Sequence, residues 1–400
     1  MQRDFFIFRQ NMKIMSSIVL VDNPLIWKNL LPLTFAKSVS HLRIGILTII
    51  EKWEKYGFSE ITVHSQDYIN QYFNQNINLQ NEHIFISSNY LPDKFTVTQI
   101  QHLENRQSLH TETGELVAFR GNWVDFENQK FENQQIISTK PSSINYLWDL
   151  YLQNGSEIIK DFKIVTADRQ SKEIEDKNVI IYNAENVHIE EGAKLKACML
   201  NAENGPIYIG KNAEIKMGAL IEGPFALCEN ARVNMGAKIR PNCTVGPNSV
   251  VGGELNNSIL QANSNKGHEG YLGNSVLGEW VNLGADTNNS NLKNNFSDVK
   301  LWSYTQNEFV NSHQKFCGVF MGDHSKAGIN TMFNTGTVVG FGANVFGGDF
   351  QAKYIPNFSW GKTDEKYNFE KFIEAETLWM KTKKASLTEE YKKLIFKILN

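Results

Sequence analysis

From Ile209 to Val251 an aliphatic residue returns at every sixth position: Ile209, Ile215, Ile221, Leu227, Val233, Ile239, Val245 and Val251. A mostly small side chain stands four places after each, from Ala213, Ala219 and Phe225 to Cys243, Ser249 and Leu255. Polar and turn-forming residues fill the intervals, as in Gly210-Lys211-Asn212 and Gly246-Pro247-Asn248. Neither a helix nor a simple alternating strand repeats at six. A short strand plus a tight turn does, and three such units make one coil with like residues stacked inside, so the pattern predicts a hexapeptide β-helix. The phase returns at Leu277 and Leu283, and again from Met321 through Ala327, Phe333 and Val339 to Val345. Two stretches lack it, Asn256 to Asn274 and Asn288 to Phe316. Both are predicted as interruptions of the solenoid, where loops commonly build a binding face.

Upstream there is no six-fold period. IVLVD (Ile18 to Asp22) reads as a buried strand, RIGILTIIEKWEKYG (Arg43 to Gly57) as an amphipathic helix and EITVHS (Glu60 to Ser65) as a second strand. That order predicts a small α/β domain with a parallel sheet. After Trp360-Gly361, residues 371–384 and the capping pattern Ser386-Leu387-Thr388-Glu389 predict closing helices. The expected organisation is an α/β domain at 15–150, a linker at 151–178, the β-helix at 179–360 and a helical tail at 361–400.

A chain of 400 residues has room for two or three domains, and its formal charge of -3 gives no global attraction to nucleic acid or acidic membrane. Cys198, Cys228, Cys243 and Cys317 show no C-x-x-C spacing, which argues against a zinc site or a secreted disulfide framework. Charged residues interrupt the N-terminal MQRDFFIFRQNMKIMSS, so no signal peptide is expected, and Met12 or Met15 is an alternative start. No run is long and apolar enough for a transmembrane helix, and a cytoplasmic protein is expected.

Within the first interruption, NSNKGHEGYLGN (Asn263 to Asn274) sets His268 and Tyr271 among three glycines. An imidazole ordinarily titrates at about 6.5 and suits proton abstraction near neutral pH. Glycines beside it permit close approach of a ligand, and Lys266 is a candidate phosphate-binding cation. Asp323-His324 is the other pairing that invites a metal, but adjacent strand side chains point to opposite faces, so a turn corner is expected there.

The segment Asn265 to Asn289, NKGHEGYLGNSVLGEWVNLGADTNN, resembles the acetyltransferase half of the bacterial enzymes that combine glucosamine-1-phosphate acetyltransferase with N-acetylglucosamine-1-phosphate uridyltransferase. Their pattern is K-x-G-H-x-x-Y-x-G followed by a V-N-I-G-A-G run. The resemblance implies that His268 is the general base, that Tyr271 contacts the sugar phosphate and that Asn282 binds the amino sugar. It also implies Glu254 as the carboxylate assisting the base and Arg240 as a clamp on the sugar phosphate, with Asn256 standing where the family has lysine. Over roughly its full length the chain is similar to a Bacteroidetes-type branch of sugar nucleotidyltransferases with a left-handed β-helix, through LLPLTFAKSV (Leu30 to Val39) and MGDHSKAGINTMFNTGTVVG (Met321 to Gly340). Acetyl-CoA as acyl donor, direct transfer without an acyl-enzyme, an oxyanion held by backbone N–H groups and a homotrimer follow from these likenesses.

The same family carries a glycine-rich G-x-G-T-R-L-x-P-L-T loop whose N–H groups wrap nucleotide phosphates, assisted by Mg²⁺. Here VDNPLIWKNLLPLTFAK keeps Leu31-Pro32-Leu33-Thr34 but not the glycines. Lys28 and Lys37 remain as candidate nucleotide-binding residues, Asp22 as an end-of-strand acid. IFISSNYLPD (Ile84 to Asp93) has asparagine where a Mg²⁺-binding aspartate is expected. The function expected is an acetyl-CoA-dependent acyltransferase on an amino-sugar phosphate or related sugar, fused to a nucleotidyltransferase-like domain. Its alternatives are an active sugar-1-phosphate nucleotidyltransferase and a non-catalytic sugar-nucleotide-binding scaffold.

Overall fold

The computed structural model describes residues 17–73, 77 and 81–399; the alternative starts Met12 and Met15 lie outside them. The chain forms two compact units. One comprises residues 17–27, 37–42 and 47–145, and the other takes Lys28–Ala36, Arg43–Ile46 and Tyr146–Asn400.

In the first unit the strands β1 (Ile18–Val21), β2 (Ile61–His64), β3 (His83–Ser87), β4 (Gln107–His110), β5 (Leu116–Gly121) and β6 (Asn133–Ile136) form a sheet in the order β2-β1-β3-β5-β4-β6. The run IVLV is buried on both faces, and β1 pairs in parallel with β2 and with β3, as the strand-helix-strand pattern predicts. The sheet turns antiparallel at β3 and β5. Val19, Phe85 and Phe119 centre its core, with Phe85 stacked on Phe126 at 4.6 Å. The helix expected over Arg43 to Gly57 begins only at Ile49, as α1 (Ile49–Lys55). Gly45 holds φ +77 just upstream, and Thr48 caps the helix, accepting from Glu51 N while Glu51 caps Thr48 N in return.

The second unit is a parallel β-solenoid of short strands stacked in three sheets, of which one has nine strands and another ten. The hexad residues stack as predicted: Ile209 on Leu227 and Val245, Ile215 on Val233 and Val251, Ile221 on Ile239. All are buried in one continuous core.

Asn256 to Asn274 is not a break. Val245 pairs with Leu260, Val251 with Lys266 and Leu255 with Leu272, so the coil continues with shortened corners. Gly252 and Gly253 make that possible: a Cβ on either would come within 2.6 Å of the next coil's backbone carbonyls. Leu255 is therefore a strand-centre residue one coil above Ile239. The second interruption does leave the solenoid, as an antiparallel hairpin of Lys300–Ser303 with Glu308–Asn311, and Trp302 stacks on Tyr354 at 4.2 Å.

The stretch expected as a linker is largely helical. α2 (Leu147–Val165) buries Leu147, Leu150, Tyr151 and Ile158 and packs along four consecutive strands of the nine-stranded sheet. Two tail helices follow, α3 (Phe369–Thr382) and α4 (Glu389–Leu399). Among the described residues no helix is long and apolar enough to cross a membrane.

Candidate functional site

The corner joining Asn265–Lys266 to Tyr271–Gly273 carries His268. Successive corners are hydrogen-bonded in a row, Gly236 N to Met217 O at 3.1 Å, Asp286 N to Glu269 O at 3.1 Å and Asn330 N to Ala285 O at 2.8 Å. Met217, Met235 and Ile329 project from this row into solvent, whereas the matching places on the coils next to His268 are Gly253 and Ala285, the latter followed by the exposed Asp286. The imidazole stands exposed in a notch of small residues, and no hydrogen bond to its ring exists among the described residues.

Tyr271 lies on the face that follows the corner. Its N–H donates to Asn288 Oδ1 at 2.7 Å and its hydroxyl accepts from Asn291 Nδ2 at 3.1 Å. The ring folds over Gly273, where a Cβ would come 2.3 Å from the phenolic oxygen, so only glycine leaves room for it. Glu254 pairs in register with Tyr271 on the same face. Its Oε1 is 3.6 Å from Arg240 Nη1, so the expected helper of the base and the expected phosphate clamp form an ion pair with each other.

Asn282 sits on the other side of the corner, in register between Asn265 and Lys326. Both neighbours are tied down by the tail: Lys383 Nζ donates to Asn265 Oδ1 at 2.8 Å, and Lys326 Nζ lies 2.7 Å from Glu376 Oε1. Glu376 also accepts from His324, whose other ring nitrogen meets Tyr391 of α4 at 3.0 Å. His324 occupies a turn corner at φ +63, as expected, and carries this buried network. Nothing in the periodicity marks Glu376, since an acid on an amphipathic helix reads as solvent-facing.

Lys266 does not face the ligand space. It takes a strand-centre place opposite Val251, is fully buried, and donates from Nζ to His268 O at 2.5 Å and Glu269 O at 2.9 Å. Burial pushes its pKa from 10.5 down to about 8 against the opposing charges of Glu269 and Asp286.

In the first unit Asp22, Ser65 and Ser88 directly follow β1, β2 and β3. Because β2 and β3 flank β1, their carboxyl ends form a topological switch point, where ligands of open α/β sheets bind. Asp22 is buried and accepts from Ser38 Oγ at 2.9 Å, Ser65 Oγ at 2.5 Å, Ser88 Oγ and Val39 N at 3.2 Å. Burial raises its pKa from 3.8 to about 6 despite those donors. Asn89, at the position where an aspartate was expected, is buried with its Oδ1 unpartnered. Lys37 is buried in this unit, while Lys28 is exposed and groups with the solenoid.

An α/β unit of this topology joined to a parallel β-solenoid defines a class, and comparison gives it relatives. Residues 18–170 match the family described as sugar nucleotidyl transferase. The chain is 36% identical over 104 residues to the bifunctional protein GlmU of Methanococcus aeolicus, covering 26% of this chain and 25% of that protein. It is 30% identical over 112 residues to a bifunctional sugar-1-phosphate nucleotidylyltransferase/acetyltransferase of Sulfurisphaera tokodaii, covering 28% and 27%. The aligned part thus spans about a quarter of the curated relatives. PerB from Caulobacter crescentus, solved with CoA and GDP-perosamine, aligns over 86% of this chain and 96% of its own at 9% identity with a TM-score of 0.15, too slight a likeness to carry an argument. Over that part the chain is similar to bifunctional proteins, one of them described as a sugar-1-phosphate nucleotidylyltransferase/acetyltransferase.

Proposed function

We propose that the solenoid unit transfers an acetyl group from acetyl-CoA to the amine of an amino-sugar phosphate or a related sugar. The observation that carries this reading is the exposed His268 ring, without a hydrogen-bond partner among the described residues, in a notch bounded by Gly253 and Ala285 and flanked by Tyr271. The exposed Met235 and Ile329 farther along the same row offer apolar contact for a pantetheine arm. Acetyl-CoA supplies the activated acyl group. His268 takes the proton of the attacking amine as the C–N bond forms, the thioester C–S bond breaks and CoA leaves as the thiol after taking up that proton, while the Tyr271 hydroxyl and Arg240 guanidinium contact the sugar phosphate. Asn282, on the far side of the corner, contacts the sugar.

The first unit is read as a sugar-nucleotide-handling domain. Its switch-point residues do not fit a Mg²⁺ site: the carboxylate of Asp22 is already occupied by three hydroxyls and an N–H. No group of three or more His, Cys, Asp or Glu that could hold a metal ion occurs among the described residues. Nucleotidyl transfer is therefore expected to be weak, and the buried cysteines Cys198, Cys228, Cys243 and Cys317, none of them in a disulfide among the described residues, fit a reducing cytoplasmic setting.

The deciding experiment is acetyl-CoA turnover with a panel of amino-sugar phosphates, run beside pyrophosphate release from UTP or dTTP with a sugar 1-phosphate. Acetyl transfer without pyrophosphate release is the expected result. Robust pyrophosphate release would restore the nucleotidyltransferase reading, and inactivity in both assays would leave a sugar-nucleotide-binding scaffold.

A further inference from the structure

The strand-centre places of the solenoid are apolar along almost its whole length, and the aliphatic core runs through them. At the His268 corner two of these places turn polar. Lys266 stands opposite Val251, on the strand entering the corner, and Asn289 stands opposite Phe333, one coil beyond Leu272. Each ties down part of the segment around the histidine. Lys266 Nζ holds the carbonyls of His268 and Glu269, at 2.5 Å and 2.9 Å. Asn289 Oδ1 accepts from Gly273 N at 2.8 Å and its Nδ2 donates to Gly273 O at 3.0 Å.

An aliphatic side chain would complete the stack opposite Val251. The chain instead buries an ammonium, which is costly unless it is hydrogen-bonded. Its bonds go to two carbonyls of the one corner that carries the exposed imidazole, which has no hydrogen bond to its ring among the described residues.

We propose that Lys266 is a positioning residue, acting from inside the core: its ammonium fixes the backbone of His268 and Glu269, and so the direction in which the imidazole meets the substrate. This role rests on the reading of His268 as the base, but the clamp itself does not. Glu269 and Asp286 are the carboxylates whose charge favours the protonated amine. With its pKa pushed down to about 8 by burial, Lys266 loses its charge in mildly alkaline solution, and the clamp weakens there.

The test uses the full chain and Lys266→Met, which keeps the side-chain length and removes the donor. Amide exchange, corrected for intrinsic rates, is read at Tyr271 N–H and Asp286 N–H, which bond to Asn288 Oδ1 and Glu269 O. Wild-type protection at both is expected to fall between pH 7 and pH 9, while Lys266→Met already shows protection reduced by about tenfold at pH 7. Amides of the Phe225–Leu227 strand serve as the control and should not change. In the acetyl-transfer assay, kcat of the variant should fall by about ten- to a hundredfold with KM for acetyl-CoA unchanged. The wild type should also show an alkaline decline in kcat that the variant lacks.

Equal protection in both proteins at pH 7 would overturn the clamp. Reduced protection at the corner in Lys266→Met with unchanged kcat would overturn its positioning role. Should the variant not fold, wild-type protection that is constant from pH 7 to pH 9 overturns the proposal, and its selective loss at this corner supports it. A wild type that turns over no acetyl-CoA would refute the functional reading, while the exchange measurement would still decide the clamp.

Discussion

Arg240 Nη1 and Glu254 Oε1 face each other at 3.6 Å across adjacent coils, with more than half of the arginine side chain and about a third of the glutamate exposed. An ion pair this open contributes about 0–1 kcal/mol, so its purpose is better sought in orienting Arg240 than in stability. Glu254→Gln is therefore expected to change kcat for acetyl transfer by less than about tenfold, whereas Arg240→Ala raises the KM for the sugar phosphate by about tenfold or more. Steady-state kinetics of the two variants checks this. A collapse of kcat in Glu254→Gln at unchanged KM would instead make Glu254 a partner of the base.

His268→Ala should lower the acyl-transfer rate by about two to four orders of magnitude and leave acetyl-CoA binding nearly unchanged. Thermal stability should hardly move, because His268 is exposed and occupies no stacking place. Tyr271→Phe should act mainly on sugar KM, since it removes a hydroxyl that the protein itself holds through Asn291. Full activity in His268→Ala would reduce the glycines to loop formers and move the search for the base elsewhere.

The solenoid was legible because a six-residue period has few physical solutions, and Ile209 to Val251 stack as the period requires. The apparent loss of the period after Val251 misled, because the corners shorten while stacking continues, and Lys266 hides a strand-centre place behind a charged residue. Periodicity sees hydrophobicity, not position. A motif singles out His268 and Tyr271 as candidates, but the pairing of Glu254 with Arg240 and the tail's contacts beside Asn282 are tertiary facts. Asp22 was equally opaque: its serine partners come from three separate segments, and no local pattern joins residues 22, 38, 65 and 88.

Glu376 anchors α3 to the solenoid through Lys326 and His324, with its side chain almost wholly buried. Burial alone would raise its pKa, but the neighbouring Lys326 and His324 overcome that and hold it below its usual 4.5. A carboxylate depressed in the folded state contributes stability that is present above the unfolded value and lost as pH falls through the folded one. The tail should therefore loosen in acid, and Glu376→Ala should cost about 3–5 kcal/mol at neutral pH by stranding two buried partners. Limited proteolysis of the tail against pH, and denaturation of the variant, measure both. A tail equally protected in the variant would contradict this.

Asp22 has the opposite sign. Its folded pKa is raised to about 6 from 3.8, so between those values the folded state holds a proton that the unfolded chain releases. Stability of the first unit, as far as this group sets it, falls as pH rises through that window, by roughly 3 kcal/mol in all. Asp22→Asn should remove that slope, seen as protection of the β1 and β3 amides, corrected for intrinsic exchange rates, that no longer falls between pH 4 and pH 6. An unchanged slope would assign it to another group.

The face that bears Glu254 and Tyr271 bears on assembly as well. Ile180, Met199 and Leu220 align in register at one end of it, 43%, 44% and 48% exposed. Met332 and Phe350, bridged to each other, lie exposed at the other end, above Asn288. Between them the ladder runs through Lys238, Glu254 and Tyr271. Apolar side chains set out in a row on a flat sheet stay in water at a cost that burial against another copy removes. A homotrimer with solenoids side by side is expected, with these rows in the interfaces and the site residues beside them. Met199→Glu combined with Leu220→Glu should dissociate it, because two carboxylates would be buried without partners. Sedimentation equilibrium at micromolar concentration should give three chains for the wild type and one for the double variant. A wild-type mass of a single chain would show that the rows serve some other contact and that the site is complete within one subunit.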